Sequence, residues 1–276
     1  MTGRLTHERM LDAIEAQVGL VRFVLAGPGD DSWPAVDLAV DVVSCPDWTV
    51  RDLVVHLGTA NWWGGANVRA RDPEQRARGM RAVMDSAPPA SAGATALAEW
   101  YAGLADEMIR TFTDAAPDAP AWTFAGPGRA DYWLRRQLHE TAVHRWDLEH
   151  ALGGPAATTP LPEDVAVDTV DEFCEAMRPI MSAALPPLPV TIRLRAILQA
   201  PERLSTGAEP VGSRAPGVSL EWTLPGGDGA GEVEVAGPPE TLALLLWGRV
   251  RADEPDLEIS GDRAGLDAAL EAGLTV

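Results

Sequence analysis

The sequence feature that most constrains the fold is an uninterrupted stretch at residues 134–153, LRRQLHETAVHRWDLEHALG. It contains no proline, has no glycine before its last residue and is rich in helix formers, so it predicts a helix of about five turns. Residues three or four apart lie on one face of a helix. Glu140 and His144 therefore lie side by side, and Gln137 and Asp147 extend the same face.

Two histidines in this stretch invite comparison with the zinc-protease motif HExxH, in which the histidines are four residues apart. His139 and His144 are five residues apart. That spacing is about 140° around a regular helix, so they cannot both face one metal. Glu140 and His144 can share a metal, which would then need a third ligand from elsewhere in the chain. The alternative is an ordinary i,i+4 glutamate–histidine pair, and this helix alone does not separate the two.

A histidine in another predicted helix is the candidate third ligand. Thr49 is a natural N-cap, and Asp52 can complete a capping box, so a helix is predicted to begin here. The apolar stripe of this helix has His56 in its middle and is formed by Leu53, Leu57, Ala60 and Trp63. A lone histidine on an apolar face is more often a core residue with a satisfied hydrogen bond than a ligand. Because a second helix also turns ionisable groups inward, a site shared by the two helices is the other interpretation.

Composition excludes several classes of function. A net charge of -19 repels phosphate backbones and anionic bilayers, so neither nucleic-acid nor membrane binding is expected. Arg22 interrupts the apolar stretch near the N-terminus, and the run at residues 242–247 is too short to span a membrane. Cys45 and Cys174 are far apart and predict neither a disulfide framework nor a thiolate metal site. A cytoplasmic protein is the expectation.

The apolar pattern changes along the chain and predicts the α+β class. Four segments of helical period precede residue 155 and favour a four-helix bundle. The predicted domains are the bundle at residues 1–155, a helix and linker at 156–189, and a small α+β domain at 190–276. Within the last domain the pattern predicts strands around residues 190–194, 218–224, 233–235 and 256–260, a helix over residues 239–247 and a final helix after Gly261.

Three stretches resemble a known family. CPDWTVRDLVVHLGTANWW and RRQLHETAVHRWDLEHALG resemble the two metal-binding helices of the mycothiol-dependent maleylpyruvate isomerase family, a branch of the DinB-like bundles. LALLLWGRVRADEPDLEISGD is similar to the second domain of that family, which has a sterol-carrier-like fold. The resemblance implies a DinB-like four-helix bundle followed by a sterol-carrier-like α+β domain.

The resemblance also implies a site. The metal would be divalent zinc bound by His56, Glu140 and His144, and the thiol cofactor would be mycothiol. The family places an arginine of the second domain near the site, and Arg249 is the matching position, implied to be catalytic. An arginine that follows an apolar helix can instead be a partner of the helix dipole. Three protein ligands leave zinc one open position, where a bound thiol loses its proton at neutral pH.

Two more residues are candidate cofactor contacts. Asp147 lies one turn beyond His144 and could orient that imidazole or bind the sugar-like cofactor, and an exposed aspartate is the alternative. Trp63 lies two turns from His56 and could form a wall of the substrate pocket, although most tryptophans of such a bundle belong to its core. His139 and His150 are expected on the surface or behind the ligands.

The predicted function is an enzyme that activates mycothiol on zinc and adds it to an electrophilic small molecule. If the thiol is later expelled, the enzyme is a cis-trans isomerase, and if it is retained, the enzyme is an S-transferase. The sequence does not separate these outcomes, because both need the same thiolate. The alternative is a non-catalytic, metal-containing protein that binds a small molecule. A monomer or small homo-oligomer is expected.

Overall fold

The computed structural model describes residues 4–27, 36–182, 185–198 and 219–275. These residues form two compact units. The first is Leu5–Pro160, and the second consists mainly of Leu161–Val276. Each unit is described by itself. In the described residues, no helix is both long and apolar enough to cross a membrane.

The first unit is a four-helix bundle, as the sequence predicts. Its long helices are α1 (His7–Ala26), α2 (Val50–Ala70), α4 (Gly93–Asp114) and α5 (Ala130–Gly153), with a short helix α3 (Met80–Asp85) and a hairpin of β1 (Pro120–Thr123) and β2 (Gly126–Arg129). Helices α1 and α2 each pack against both α4 and α5. The core between them is formed by apolar side chains such as Ile14, Leu53, Tyr101 and Leu138.

Helix α2 begins where the capping residues predict. The Thr49 hydroxyl accepts a hydrogen bond from the backbone N–H of Asp52, and the Asp52 carboxylate accepts one from the backbone N–H of Thr49. This reciprocal capping box satisfies two backbone donors at the helix start. It also sets the phase of α2, and hence the side of the helix on which His56 emerges, two turns later.

The start of α5 differs from the sequence expectation. The helix begins at Ala130, four residues earlier than position 134, because the β1–β2 hairpin leads directly into it. The backbone N–H of Ala130 donates to the carbonyl of Ala119, and the Trp133 indole donates to the carbonyl of Trp122. Periodicity in the sequence does not reveal this hairpin, since prolines and glycines conceal the short pairing.

A buried polar contact joins α2 to α5. The Asn61 side-chain amide donates to the Gln137 carbonyl oxygen at 2.9 Å and to the Thr141 hydroxyl at 3.1 Å. Gly64 allows α2 to approach the Gln137 side chain of α5 closely, because a Cβ at this position would lie 2.6 Å from Cγ of Gln137. The two helices are therefore held in a fixed register just beside Glu140.

A second buried cluster anchors the C-terminal half of α5. The Arg145 guanidinium is fully buried and donates to Glu149 Oε2 at 2.6 Å, to Gln17 Oε1 at 3.0 Å and to the Thr159 carbonyl. Glu149 in turn accepts from the backbone N–H of Thr159 at 2.6 Å. These contacts connect α5 to α1 and to the end of the first unit.

The second unit is the predicted small α+β fold. Its sheet has the order β4-β3-β5-β6, formed by β3 (Leu188–Ile197), β4 (Ser219–Leu224), β5 (Gly226–Gly237) and β6 (Glu258–Gly261). The β3–β5 pair is parallel and the other two pairs are antiparallel. Val218, which the sequence includes in the second strand, lies outside the described residues.

The helices of the second unit are α6 (Glu163–Glu172), α7 (Arg178–Ser182), α8 (Pro239–Leu246) and α9 (Arg263–Glu271). A π-helical turn, Phe173–Met177, joins α6 to α7, so the single helix predicted here is interrupted in its middle. Helix α9 packs on β3 and β5, and α8 packs on α6 and the same two strands. Most of the segment predicted as helix and linker, from Leu161 onward, therefore belongs to the same compact unit as the sheet.

Candidate metal centre

Three side chains from α2 and α5 converge in the first unit. His56 Nε2 lies 3.0 Å from Glu140 Oε1, and His144 Nε2 lies 3.4 Å from the same oxygen. All three donor atoms lie within 4.8 Å of one another. The structure therefore brings together the three residues that the sequence singles out, from positions 84 residues apart in the chain. Their role as metal ligands stays a prediction.

The donor set suits zinc. Two imidazole nitrogens and one carboxylate oxygen are ordinary ligands of a catalytic zinc site. Ligands at about 2.0–2.2 Å from a tetrahedral zinc lie about 3.3–3.5 Å from each other. The observed separations of 3.0 and 3.4 Å are close to that value. The donor atoms of the third pair, His56 and His144, lie within 4.8 Å of each other.

Asp147 fixes the orientation of the His144 ring. Its Oδ2 lies 2.8 Å from His144 Nδ1, and its Oδ1 accepts a hydrogen bond from the Ser44 hydroxyl at 2.6 Å. The Cys45 thiol lies 3.8 Å from Oδ2. Because the carboxylate holds the proton on Nδ1, Nε2 is the ring nitrogen that faces the centre and that a metal would bind once Nε2 is deprotonated. Asp147 is fully buried, which makes the exposed position considered from the sequence wrong.

The open side of the centre lies at His56. The His56 side chain is 35% exposed, whereas those of Glu140 and His144 are 17% and 6% exposed. The expectation that His56 lies in the middle of a buried stripe is therefore wrong, because its ring reaches the rim of the bundle. The Trp48 ring covers part of this rim, with its centroid 4.7 Å from the His56 ring and 6.2 Å from the His144 ring.

The charges in the centre stabilise one another. Burial alone would raise the pKa of Glu140, but hydrogen bonds with His144 and His56 and the Arg136 guanidinium hold that pKa well below its ordinary value. Burial alone would lower the pKa of His144, but its contacts with Asp147, Cys45 and Glu140 raise that pKa well above its ordinary value. These contacts therefore favour the ionised form of Glu140 and the protonated form of His144.

We expect zinc binding to release about one proton near neutral pH. His144 can offer Nε2 to a metal only when it is neutral. Its pKa is raised, so the proton remains bound until the pH passes that raised value, and zinc affinity should increase with pH up to that point. Calorimetric titration in buffers of different ionisation enthalpy measures the protons released. A heat that does not depend on the buffer would contradict this prediction.

The other predicted site residues have different surroundings. The Trp63 ring is nearly buried, packs against Trp122, Phe124 and Trp133, and donates through its indole to the carbonyl of Ala77 at 2.8 Å. Arg249 lies just after α8 in the second unit. Its guanidinium donates to the Trp247 carbonyl, which is the helix-end partner considered as the alternative from the sequence. The roles of Trp63 in cofactor binding and Arg249 in catalysis stay predictions.

The two remaining histidines of α5 are not at the centre. His139 is fully buried in the bundle, so the surface position considered from the sequence is wrong for this residue. The His150 ring stacks on Trp146 with a centroid distance of 4.7 Å.

Sequence reasoning missed four residues around the centre. Arg136 could have been found, since it lies four residues before Glu140 on the same helix face. Ser44, Cys45 and Trp48 lie in the segment before α2, where no periodic pattern indicates which side chains point inward.

Comparison with known proteins agrees with the resemblance seen in the sequence. Residues 31–149 match the family model described as the mycothiol maleylpyruvate isomerase N-terminal domain. No curated protein sequence matches the chain. Two solved structures have the same fold. One is a crystal structure of the mycothiol-dependent maleylpyruvate isomerase, with 16% sequence identity and a TM-score of 0.60. The other is a histidine-to-alanine mutant of that enzyme, with 17% identity and a TM-score of 0.58.

Each of these alignments covers 94% of this chain and 95% of the other. At such low identity the likeness is one of fold. The family model spans the helices that carry His56, Glu140 and His144. Residues 31–149 therefore match the mycothiol maleylpyruvate isomerase N-terminal domain, and the chain shares its fold with the two solved maleylpyruvate isomerase structures.

Proposed function

We propose that the protein is a zinc- and mycothiol-dependent enzyme that adds the cofactor thiol to an electrophilic small molecule. The observation that carries this proposal is the convergence of His56, Glu140 and His144 at a partly open rim of the bundle. A structural zinc site is closed by four protein ligands, whereas three ligands with access from outside are typical of catalytic zinc. The mycothiol dependence of the solved relatives supports the choice of thiol.

The residues of the chain have separate tasks in this proposal. His56, Glu140 and His144 would bind the zinc ion, and a zinc ion bound there lowers the pKa of a thiol in the remaining position. Asp147 holds the ring of His144 so that Nε2 faces the centre, and Ser44 holds Asp147. Trp48 partly covers the rim and excludes water from one side of it.

Addition of the thiol permits two overall reactions. On a cis double bond conjugated to a carbonyl group, addition followed by rotation and loss of the thiol gives the trans isomer. On an epoxide or a similar electrophile, the carbon–sulfur bond remains and the product is a thioether. The proposal includes both reactions, because the residues of the centre act on the thiol rather than on the electrophile.

The test is to incubate zinc-loaded protein with mycothiol and a panel of electrophiles, including maleylpyruvate, epoxides and quinones. Mass spectrometry detects thioethers, and ultraviolet absorption detects isomerisation. Turnover that requires both zinc and thiol would support the proposal. Full activity in zinc-free protein would contradict it. Tight binding of a small molecule without turnover of any electrophile would favour the non-catalytic alternative.

We expect Arg249→Ala to lower turnover by about 10²-fold, a typical effect of removing one donor to a developing oxyanion. The proposed task of Arg249 is to donate paired hydrogen bonds to an anionic group of the substrate. Zinc content and thermal stability should stay close to wild type. The matched control is Arg251→Ala, since the Arg251 side chain is 87% exposed and pairs with nearby Asp253. Reduced stability with unchanged turnover would instead assign Arg249 to the helix end.

A further inference from the structure

The two oxygens of Glu140 have different partners. Oε1 faces the centre, 3.0 Å from His56 Nε2 and 3.4 Å from His144 Nε2. Oε2 accepts a hydrogen bond from Arg136 Nη2 at 2.9 Å. Arg136 is one turn before Glu140 on α5, and its side chain is only 4% exposed. One oxygen of the carboxylate therefore faces the candidate metal position, and the other is bound by a buried guanidinium.

This division matters because a carboxylate can bind a metal through one oxygen or through both. Binding through both oxygens would use an additional coordination position. To do so, Oε2 would have to give up a charge-assisted hydrogen bond in a buried place, and the guanidinium would lose its contact with Glu140. The i,i+4 spacing on one helix places the two groups side by side, independently of how α5 packs on its neighbours.

We propose that Arg136 is a positioning residue that restricts Glu140 to one-oxygen coordination and thereby keeps one metal position open for the thiol. This inference rests on the proposed function, since it assumes a metal bound by Glu140. In this inference, Arg136 controls the coordination number of the metal. It neither binds the metal nor touches the substrate.

The test uses cobalt(II) as the metal and 2-mercaptoethanol as the thiol. Visible absorption of cobalt is strong in four-coordinate sites and weak at higher coordination number. Wild type should show the strong spectrum once the thiol is bound. In Arg136→Met, Oε2 of Glu140 is released, so we expect a higher coordination number of cobalt before the thiol is added. The affinity for the thiol should be about 10- to 100-fold lower than in wild type, the usual range for residues that orient ligands. Arg136→Lys keeps the charge and one donor, and should restore the wild-type spectrum.

Arg145→Met is the matched control. Arg145 is also buried and also pairs with a glutamate four residues away on α5, but that glutamate is not at the centre. This variant should lose stability without any change in the cobalt spectrum or in thiol affinity. A general loss of stability is thereby separated from a change in coordination.

The outcomes distinguish this inference from the proposed function. Failure of wild type to bind cobalt or zinc through His56, Glu140 and His144 would overturn both. Cobalt binding in Arg136→Met with wild-type spectrum and thiol affinity would overturn the role of Arg136 alone. If Arg136→Met does not fold, the crystal structure of cobalt-loaded wild type decides. One-oxygen binding by Glu140 with Oε2 on Arg136 would support the inference, and two-oxygen binding would overturn it.

Discussion

Replacement of His144 by alanine is expected to remove metal binding and activity together. The imidazole is one of three candidate ligands, and only two protein ligands would remain. Zinc sites with four ligands bind with about 10–16 kcal/mol, or about 2.5–4 kcal/mol per ligand. Zinc affinity should therefore fall by roughly 10²- to 10³-fold, since about 1.4 kcal/mol corresponds to a factor of ten. Competition with a chromogenic chelator measures the affinity, and the thiol-transfer rate is measured on the same samples.

The control for His144→Ala is His150→Ala. Both histidines lie on α5, but His150 stacks on Trp146 and does not belong to the candidate ligand set of His56, Glu140 and His144. His150→Ala should keep wild-type zinc affinity. If His144→Ala binds zinc as tightly as wild type while its circular dichroism is unchanged, the proposed ligand set is wrong.

Replacement of Glu149 by alanine is expected to cost about 3–5 kcal/mol in free energy of unfolding, the usual effect of leaving a buried charge without its partner. Arg145 is fully buried, and Glu149 is the carboxylate that contacts it. The substitution also removes the acceptor for the backbone N–H of Thr159. Urea unfolding followed by tryptophan fluorescence measures the loss. Zinc affinity, measured in conditions where the variant is folded, should change little.

An exposed pair of the same spacing provides the comparison. Arg81 and Asp85 on α3 are also four residues apart, but their side chains are 83% and 56% exposed. Asp85→Ala should therefore cost less than about 1 kcal/mol, because water screens the pair. If Glu149→Ala costs no more than Asp85→Ala, Arg145 must gain access to water when its partner is removed, and the cluster is not the anchor inferred from its contacts.

Local patterns predicted the parts of the fold that depend on neighbouring residues. The capping box at Thr49 and Asp52 marks the start of α2, and the period-two alternation marks β3. The β1–β2 hairpin was missed because its pairing depends on contacts such as that of Trp133 with the Trp122 carbonyl, which no periodicity records. The π-helical turn after Glu172 was missed because the apolar spacing of a helix continues through it.

The candidate site was predictable from two helices that each carry ionisable side chains next to apolar positions. Glu140 and His144 share one face by helix geometry, and His56 interrupts an apolar stripe. The sequence does not show from which side the loop before α2 approaches the centre. Ser44 reaches Asp147 across 103 positions of the chain, a contact that only tertiary packing creates.

The close approach at Gly64 has a consequence for recognising distant relatives. A Cβ there would lie 2.6 Å from Cγ of Gln137, so a relative that keeps this glutamine and the same close helix contact should also keep a glycine eight positions after the α2 histidine. On α5, the contacts from Arg136 to Asp147 correspond to the pattern Arg-x3-Glu-x3-His-x2-Asp. A genome search that requires both patterns selects on the geometry of the centre. It should recover family members whose overall identity is too low for ordinary alignment.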